Sequence, residues 1–509
     1  MQWLKTLVDT LSEEHSSDEI VVSSGVSPSG TYHLGTLREV LTAEVVVREL
    51  KIRGLRAVHI HVVDDLDVFR KVPVGLSSDF EEHLGKPLCD IPSPSGGNQS
   101  YADFYLSDLV NSAEGLYLEM KIIRAHQKYR DGFFVHAIEK ALDNVSQIRE
   151  VLETVSGHKL GEEWSPVQII EEGYLKNRQF IRIDQNSKTL TYLNKEGIEQ
   201  EISYASGDVK LNWRIDWPAR WWLLGVSVEP FGRDHATRGG SYDTGVEIAK
   251  KVFGVKAPIP VPYNFINRTG ETKKMSKSKG DTVTAADLLK ILPPEIVWFF
   301  ILRYAPSKLL FFDQGPTLMK LFDEFAQLVG KSEKDVHEQK LVQLCTYGIS
   351  DLTVSRIPFS HLVASYQAAL RDPLKTLDII RRTEHSQVVD EDEAIILREI
   401  KYIDNWLDSW APEEVRFSLS DSIATDLSVD DKNYLLALAN KISTAPKDAD
   451  GGWFHQAMYD LKDEFSLKPA EMFGLVYKVL IGKSSGPRAG WFLSILPRDW
   501  LIDRLKLKY

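Results

Sequence analysis

Cysteine is almost absent. In 509 residues only Cys89 and Cys345 occur. Two thiols cannot build a disulfide framework or a four-cysteine zinc site, so a reducing, cytoplasmic setting is the expectation. Long apolar runs are missing too. None approaches the roughly 20 residues that a bilayer span needs, so no membrane role is expected. The opening stretch, MQWLKTLVDTLSEEHSSDE, lacks both the basic start and the apolar run of a secretory signal. Nor is there an excess of positive charge. Against 61 Lys and Arg stand 73 Asp and Glu, a net charge of −12, which argues against a nonspecific nucleic-acid coat. A local basic face would still suffice for nucleic acid. Residues 466–509 carry eight Lys/Arg against three acids, which by itself reads as a basic tail solvating the chain end. Internal repeats and low-complexity segments are not found.

What is present is ordinary globular material. Hydrophobic residues make up 43% and charged residues 26%, with 12 Trp, 18 Tyr and 21 Phe to build a core. The length predicts about three domains. Residues 20–24, IVVSS, read as a strand. Residues 33–50 place Leu37, Val40, Leu41, Val45 and Leu50 at helical spacing, and Gly54 is a plausible stop. Residues 57–63, AVHIHVV, read as a second strand, which completes a βαβ unit of a parallel sheet. Pro, Gly and Ser crowd residues 73–100, where an insertion begins. Residues 101–155 read as mainly helical and 168–205 as a small antiparallel sheet. The parallel fold is expected to resume near Val209, with a helix over 244–253 and a strand over 257–266. Two short helices, split by Pro293-Pro294, follow over 285–304, and the chain reads as helical from about 315.

Two constellations carry chemistry. PSGTYHLGT, Pro28 to Thr36, lies between the first strand and its helix. Pro28, Gly30 and Gly35 keep the backbone tight and bare, so a nucleotide can lie against it. His33 stands at the helix N-terminus, where N–H groups and the dipole favour anions. Taken alone, this H-x-G pattern is weak and reads as a capped helix with a glycine turn. The second constellation, KKMSKSKG over 273–280, sets four lysines within seven residues. Such lysines can follow charge that builds on a leaving pyrophosphate, or form a solvated run. An H-x-G loop after strand one together with a K-M-S-K-S loop after a late strand is far more specific than either. At the end of strand two, Asp64, Asp65 and Asp67 could meet an ammonium, and Trp213, Trp217 and Tyr263 offer aromatic faces.

HLGT at 33–36 resembles the H-I-G-H signature of class I aminoacyl-tRNA synthetases, with Thr36 in place of its last His, and KMSKS at 274–278 matches the second signature. Within that class the chain resembles the archaeal-type class I lysyl-tRNA synthetases. The supporting segments are SGVSPSGTYHLGTLRE, HIHVVDDLDVFRKVP, GDVKLNWRIDWPARW, GRDHATRGGSYDTGVEIAKKVFG and IGKSSGPRAGWFLSIL, which run from residue 24 to 495. The resemblance implies an α/β, Rossmann-type catalytic domain with an inserted connective subdomain, followed by an all-helical anticodon-binding domain. The boundaries expected are 1–70 and 208–282 for the two catalytic halves, 71–207 for the insertion, 283–330 for a stem-contact region and 331–509 for the anticodon module. It implies activation of L-lysine by ATP with Mg²⁺, then transfer to tRNA(Lys), without an obligate protein partner. His33, Lys274 and Lys277 would be catalytic. Pro28, Ser29, Gly30, Gly35, Thr36, Asp234, Met275, Ser276 and Ser278 would join them around ATP. Gly25, Ser27, Asp65, Trp213, His235 and Tyr263 would hold lysine.

Two further readings stay open: a glutamyl-type synthetase and a non-catalytic tRNA-binding paralogue. A glutamyl pocket should present Arg to a carboxylate, whereas the acids at 64 and 65 suit an ammonium. A non-catalytic paralogue could lose the lysines of KMSKS, and both are kept. Archaeal relatives resemble zinc proteins, with Cys and His ligands in the insertion. Here Gly97, Asn98 and Phe104 occupy such positions, and 165–205 holds no Cys or His. A zinc-free insertion is expected, packed on Trp164, Phe180, Ile181 and Tyr192. The other possibility is a site from His126, His136 and His158.

Overall fold

The computed structural model describes residues 1–15, 18–161, 164–270, 283–420, 422, 426–462 and 464–508. Two compact units result. One holds Met1–Leu289, Phe300–Phe312 and Gln343–Gly348, and the other holds Lys290–Phe299, Asp313–Val342 and Ile349–Tyr509.

The first unit is built on a parallel sheet of five strands: β1 (Ile20–Val26), β2 (Ala57–Val63), β3 (Met120–Arg124), β4 (Val226–Gly232) and β5 (Ile259–Tyr263), in the order β5-β4-β1-β2-β3. The chain leaves β1 toward β2 and β3, then returns to the other side through β4 and β5. The switch point therefore lies between β1 and β4, where an open α/β sheet leaves a crevice at its strand C-termini. Helix α1 (Leu34–Ile52) covers one face, and its Leu37, Val40, Leu41, Val45 and Leu50 are all buried. Gly54 ends the turn after it with φ +78°, a conformation that favours glycine.

Residues 101–155 are mainly helical, as expected, with β3 inside them joining the main sheet beside β2. Other expectations need correction. The parallel sheet does not resume at Val209. The strand Val209–Leu211 pairs antiparallel with Val167–Glu171, and the main sheet resumes at β4. The antiparallel region forms two three-stranded sheets rather than one. Ile181 is 37% exposed and no part of the core there, whereas Tyr192 is buried and Trp164 and Phe180 pack against that core. A single strand offers both faces, so a run such as QFIRID hides which of its apolar residues turns inward.

The second unit is helical among its described residues. Tyr434, Leu438, Met472, Val476 and Phe492 centre its core. Residues 466–508 are no free tail. They form the helices Pro469–Ile481, Ala489–Ile495 and Arg498–Leu505. Arg504 is buried and donates to the Val479 carbonyl at 3.1 Å, and Lys478 pairs with Asp426 at 2.8 Å.

Three buried carboxyls clamp the strand-like stretch 353–356 of this unit. Glu295 accepts from Thr353 N and Val354 N, Glu399 from Ser355 N at 2.8 Å, and Asp392 from Arg356 N at 3.1 Å. Burial pushes Glu399 up to about 8, reinforced by the charges of Glu295 and Asp323 and opposed by the Ser355 bonds. The folded protein thus keeps a proton that the unfolded chain releases once pH passes the ordinary carboxylate range. Stability is lost as pH rises from that range to about 8. Glu399→Gln keeps the acceptor for Ser355 N without the charge. Its melting temperature at pH 8 is expected to exceed that of the unaltered protein by several degrees and to match it near pH 4. Thermal unfolding monitored by circular dichroism at both values checks this.

Candidate active site

Two adjoining cavities open at the C-terminal ends of β1, β2 and β4. The outer, about 570 Å³, is lined by Ser29, His33, Gly35, Thr36, Asp234 and Tyr263 among others. The inner, about 500 Å³, is lined by Gly25, Ser27, Trp213, Trp217 and Glu229 among others. Glu39, Arg70 and His235 belong to both.

The H-x-G turn follows from local geometry. His33 is the N-cap of α1, and its Nδ1 accepts from Thr36 N at 3.2 Å. The imidazole folds back over Gly35, where a Cβ would come 2.9 Å from His33 Cε1. Glycine is therefore required two positions after the histidine. Gly25 has a similar constraint, since a Cβ there would stand 3.1 Å from the Val62 carbonyl oxygen. Its N–H donates to Glu39 Oε1 at 2.8 Å, while Tyr263 OH donates to Glu39 Oε2 at 2.6 Å.

The inner cavity has an aromatic wall and an acidic floor. Trp213 and Trp217 stack with centroids 5.1 Å apart, and His235 lies 5.8 and 5.6 Å from them. Asp64 meets Arg220 at 3.2 Å and Lys210 at 3.6 Å. Burial pushes its carboxyl up, but those two cations outweigh it and hold it below the ordinary range. Asp67 accepts from Ser27 Oγ at 2.9 Å and pairs with Arg70 through both oxygens. Glu229 accepts from the Trp221 indole. Burial raises it to about 7, opposed by the Trp217 and Trp221 N–H groups and reinforced by the Glu39 charge.

Most of the residues expected from sequence come together here. Ser29, His33, Gly35, Thr36, Asp234, His235 and Tyr263 line the outer cavity, and Gly25, Ser27, Trp213 and His235 the inner. Pro28 and Gly30 are buried in the turn behind the cavities. Asp65 is a correction. It lines neither cavity and is fully buried, accepting from Arg124 Nε at 2.5 Å, His126 N at 2.8 Å and His126 Nδ1 at 2.6 Å. Both acids follow the end of β2 at Val63, where the chain turns, and Asp64 lines the inner cavity while Asp65 is taken up by Arg124 and His126. Lys274, Met275, Ser276, Lys277 and Ser278 lie outside the described residues. The chain after them returns beside the H-x-G turn, where Thr284 bridges His33 and Ala285 N donates to the Tyr32 carbonyl at 3.1 Å.

Sequence reading missed Glu39, Glu229, Arg70 and Arg220. A signal existed for Glu229, since VSVEPFG is a strand whose single carboxylate falls among apolar neighbours. Glu39 lies on α1 six residues past His33, in a helix whose pattern reads as core.

A family model described as tRNA synthetases class I (K) matches residues 1–352. The chain is 34% identical over 508 residues to a lysine–tRNA ligase of Archaeoglobus fulgidus, covering 99% of this chain and 99% of that protein. It is 34% identical over 532 residues to lysine–tRNA ligase 1 of Methanosarcina acetivorans, covering 99% and 98%. A lysine–tRNA ligase of Methanosarcina barkeri is 35% identical over 510 residues, covering 96% and 94%.

Glu229 reports on the inner cavity directly, because two tryptophans contact its carboxyl. Tryptophan fluorescence is expected to titrate with a midpoint near 7. Glu229→Gln should abolish that titration. It should also flatten the fall in melting temperature between the ordinary carboxylate range and pH 7, where the folded protein holds a proton that the unfolded chain has lost. A titration that survives in the variant would assign the proton elsewhere.

Proposed function

The chain belongs to the class I (K) tRNA synthetases, and from that membership we infer that it is a lysine–tRNA ligase. It activates L-lysine with ATP to lysyl-adenylate and transfers lysine to the 3′-terminal ribose of tRNA. The observation that carries the site reading is the pair of cavities sharing Glu39 and His235 at the switch point. The outer takes ATP, with Mg²⁺ arriving as part of the nucleotide substrate. The inner takes lysine.

The shared wall marks where the lysine carboxylate must meet the α-phosphate. Glu39, common to both cavities, is therefore assigned to the α-ammonium. Glu229, confined to the inner cavity, is assigned to the ε-ammonium. The Trp213 and Trp217 faces take the aliphatic chain and add cation–π attraction. An ammonium beside Glu229 favours its ionised form, so lysine binding is expected to weaken as pH falls below about 7. His33, at the α1 N-terminus, contacts the α-phosphate, and Asp234 the ribose. Lys274 and Lys277 neutralise charge that develops on the leaving pyrophosphate, an effect that acts on the transition state rather than on ground-state binding. The enzyme supplies positioning and charge, and no covalent intermediate is needed.

Residues 331–509 are assigned to the anticodon arm of tRNA(Lys), and the enzyme to the cytoplasm, with no obligate protein partner. The insertion is read as zinc-free. Burial and the neighbouring Asp90 push the Cys89 thiol far up, away from the thiolate that a metal takes. His126 is held by Asp65, and His136 bonds Glu139 at 2.8 Å. Protein dialysed against a chelator is expected to hold no stoichiometric zinc by metal analysis.

Amino-acid-dependent ATP–pyrophosphate exchange, run over all twenty amino acids with and without tRNA, tests the central reading. Lysine alone should support exchange. In the same assay Lys277→Ala should lower kcat by at least about tenfold with little change in KM for lysine. Glu229→Gln should instead raise KM for lysine about tenfold and leave KM for ATP unchanged. Exchange driven by glutamate would sink the assignment. Loss of charging on anticodon-substituted tRNA(Lys) checks the role of the helical module.

A further inference from the structure

Beneath the H-x-G turn, on the sheet face covered by α1, lies a polar chain that substrate binding leaves unused. Ser24 of β1 and His59 and His61 of β2 share that face, since residues two apart on a strand point the same way. Ser24, His59, His61 and Tyr32 are fully buried, and Glu44 of α1 is 1% exposed. Glu44 Oε2 lies 2.8 Å from His59 Nδ1, and His59 Nε2 lies 2.8 Å from Ser24 Oγ. Ser24 Oγ lies 2.7 Å from His61 Nδ1, and His61 Nε2 lies 3.5 Å from Tyr32 OH. Tyr32 immediately precedes His33.

Charge sets the direction of this chain. Against the cost of burial, the His59 hydrogen bond and the Arg48 charge both favour the ionised Glu44 carboxylate. Arg48 of the same helix, also fully buried, stands 3.9 Å from Glu44 and donates to the carbonyls of Leu344, Leu116 and Tyr117. One buried anion therefore already has one buried cation. A second cation at His59, beside Arg48, would add buried positive charge, so a one-directional chain requires His59 as the neutral imidazole. Glu44 can only accept, which puts the His59 proton on Nδ1 and leaves Nε2 an acceptor. Ser24 then donates to His59, and its oxygen accepts from His61 Nδ1–H. The His61 Nε2 lone pair is left to receive the Tyr32 hydroxyl proton. Every bond runs one way, from Tyr32 to Glu44.

The far end of the chain has a second anchor. The Tyr32 carbonyl accepts from Ala285 N, and Thr284 bridges His33, so Tyr32 sits between the H-x-G turn and the segment that follows the lysine-rich signature. We propose that Tyr32, His61, Ser24, His59 and Glu44 form a one-directional relay of positioning residues, which holds the H-x-G turn in register with the segment after the second signature for adenylate formation. The catalytic part of this proposal rests on the lysine–tRNA ligase reading; the direction of the relay does not.

Two measurements test it. In full-length protein labelled with ¹⁵N-histidine, His59 and His61, identified by single substitution, should both appear as neutral Nδ1–H tautomers. A proton on Nε2 of either ring in the unaltered protein would overturn the relay. Ser24→Ala removes the central link, and Tyr32→Phe removes the hydroxyl while keeping the ring. Each should lower kcat of lysine-dependent pyrophosphate exchange by about tenfold, with KM for lysine changed less than about twofold. An unchanged kcat in both variants, or a loss expressed only in KM for lysine, would refute the positioning role. Absence of lysine-dependent exchange in the unaltered enzyme would refute the functional reading instead, and the tautomers would still decide the relay.

Discussion

The bond from Gly25 N–H to the Glu39 carboxylate is the constraint around which the site is arranged. It ties the end of the central strand to the helix that follows the H-x-G turn. The same carboxylate accepts from Tyr263 at the end of β5, so one side chain fastens elements from both sides of the switch point. Gly25 itself is pinned against β2, since a Cβ there would stand 3.1 Å from the Val62 carbonyl oxygen. The Glu39 carboxylate is part of the wall the two cavities share, together with Val26, Arg70 and His235. A substrate that bridges them must approach it.

Around that wall, acids of similar appearance have been given different work by their partners. Asp64 is balanced by Lys210 and Arg220, Asp67 by Arg70, and Asp65 is sealed behind the site by Arg124 and His126. Glu229 is met by indole N–H groups rather than by an ion pair, and burial keeps its proton until about pH 7. Ionised acids locked to cations structure the floor. A carboxyl held by neutral donors retains the capacity to answer an incoming ammonium. Arg124 comes from within the expected insertion, residues 71–207, and β3 extends the main sheet from the same region. The insertion therefore supplies part of the framework of the site and is not an appendage to it.

The helical unit uses the same chemistry for a different end. Its buried carboxyls accept from backbone N–H groups over 353–356, where neither helix nor sheet provides acceptors. Satisfying those donors internally keeps an irregular stretch inside a helical core. Part of the positive charge in its last residues is already engaged, Arg504 by the buried Val479 carbonyl and Lys478 by Asp426 at the surface. Local charge balance alone therefore overstates the basic surface that this segment offers a nucleic acid.

Much was legible in the sequence by itself. The first βαβ unit follows from strand runs and helical spacing. His33, Gly35, Gly25, Trp213, His235 and Tyr263 stood out from motif and residue type, and the structure gathers them at one crevice. These features are local, or are repeated in a signature, so neighbouring residues suffice to reveal them. Three matters were decided only by the tertiary structure. Which of Asp64 and Asp65 faces the crevice depends on the turn after β2 and on cations from distant elements, Arg220 and Lys210 for the one and Arg124 for the other. That Glu39 and Glu229 share a site depends on bringing β1 and β4 together across nearly two hundred residues. That Ser24, His59 and His61 form one buried hydrogen-bonded chain with Glu44 depends on β1, β2 and α1 packing together. Long-range contact, buried packing and the pairing of distant charges are sums over the whole fold, and no window of sequence contains them.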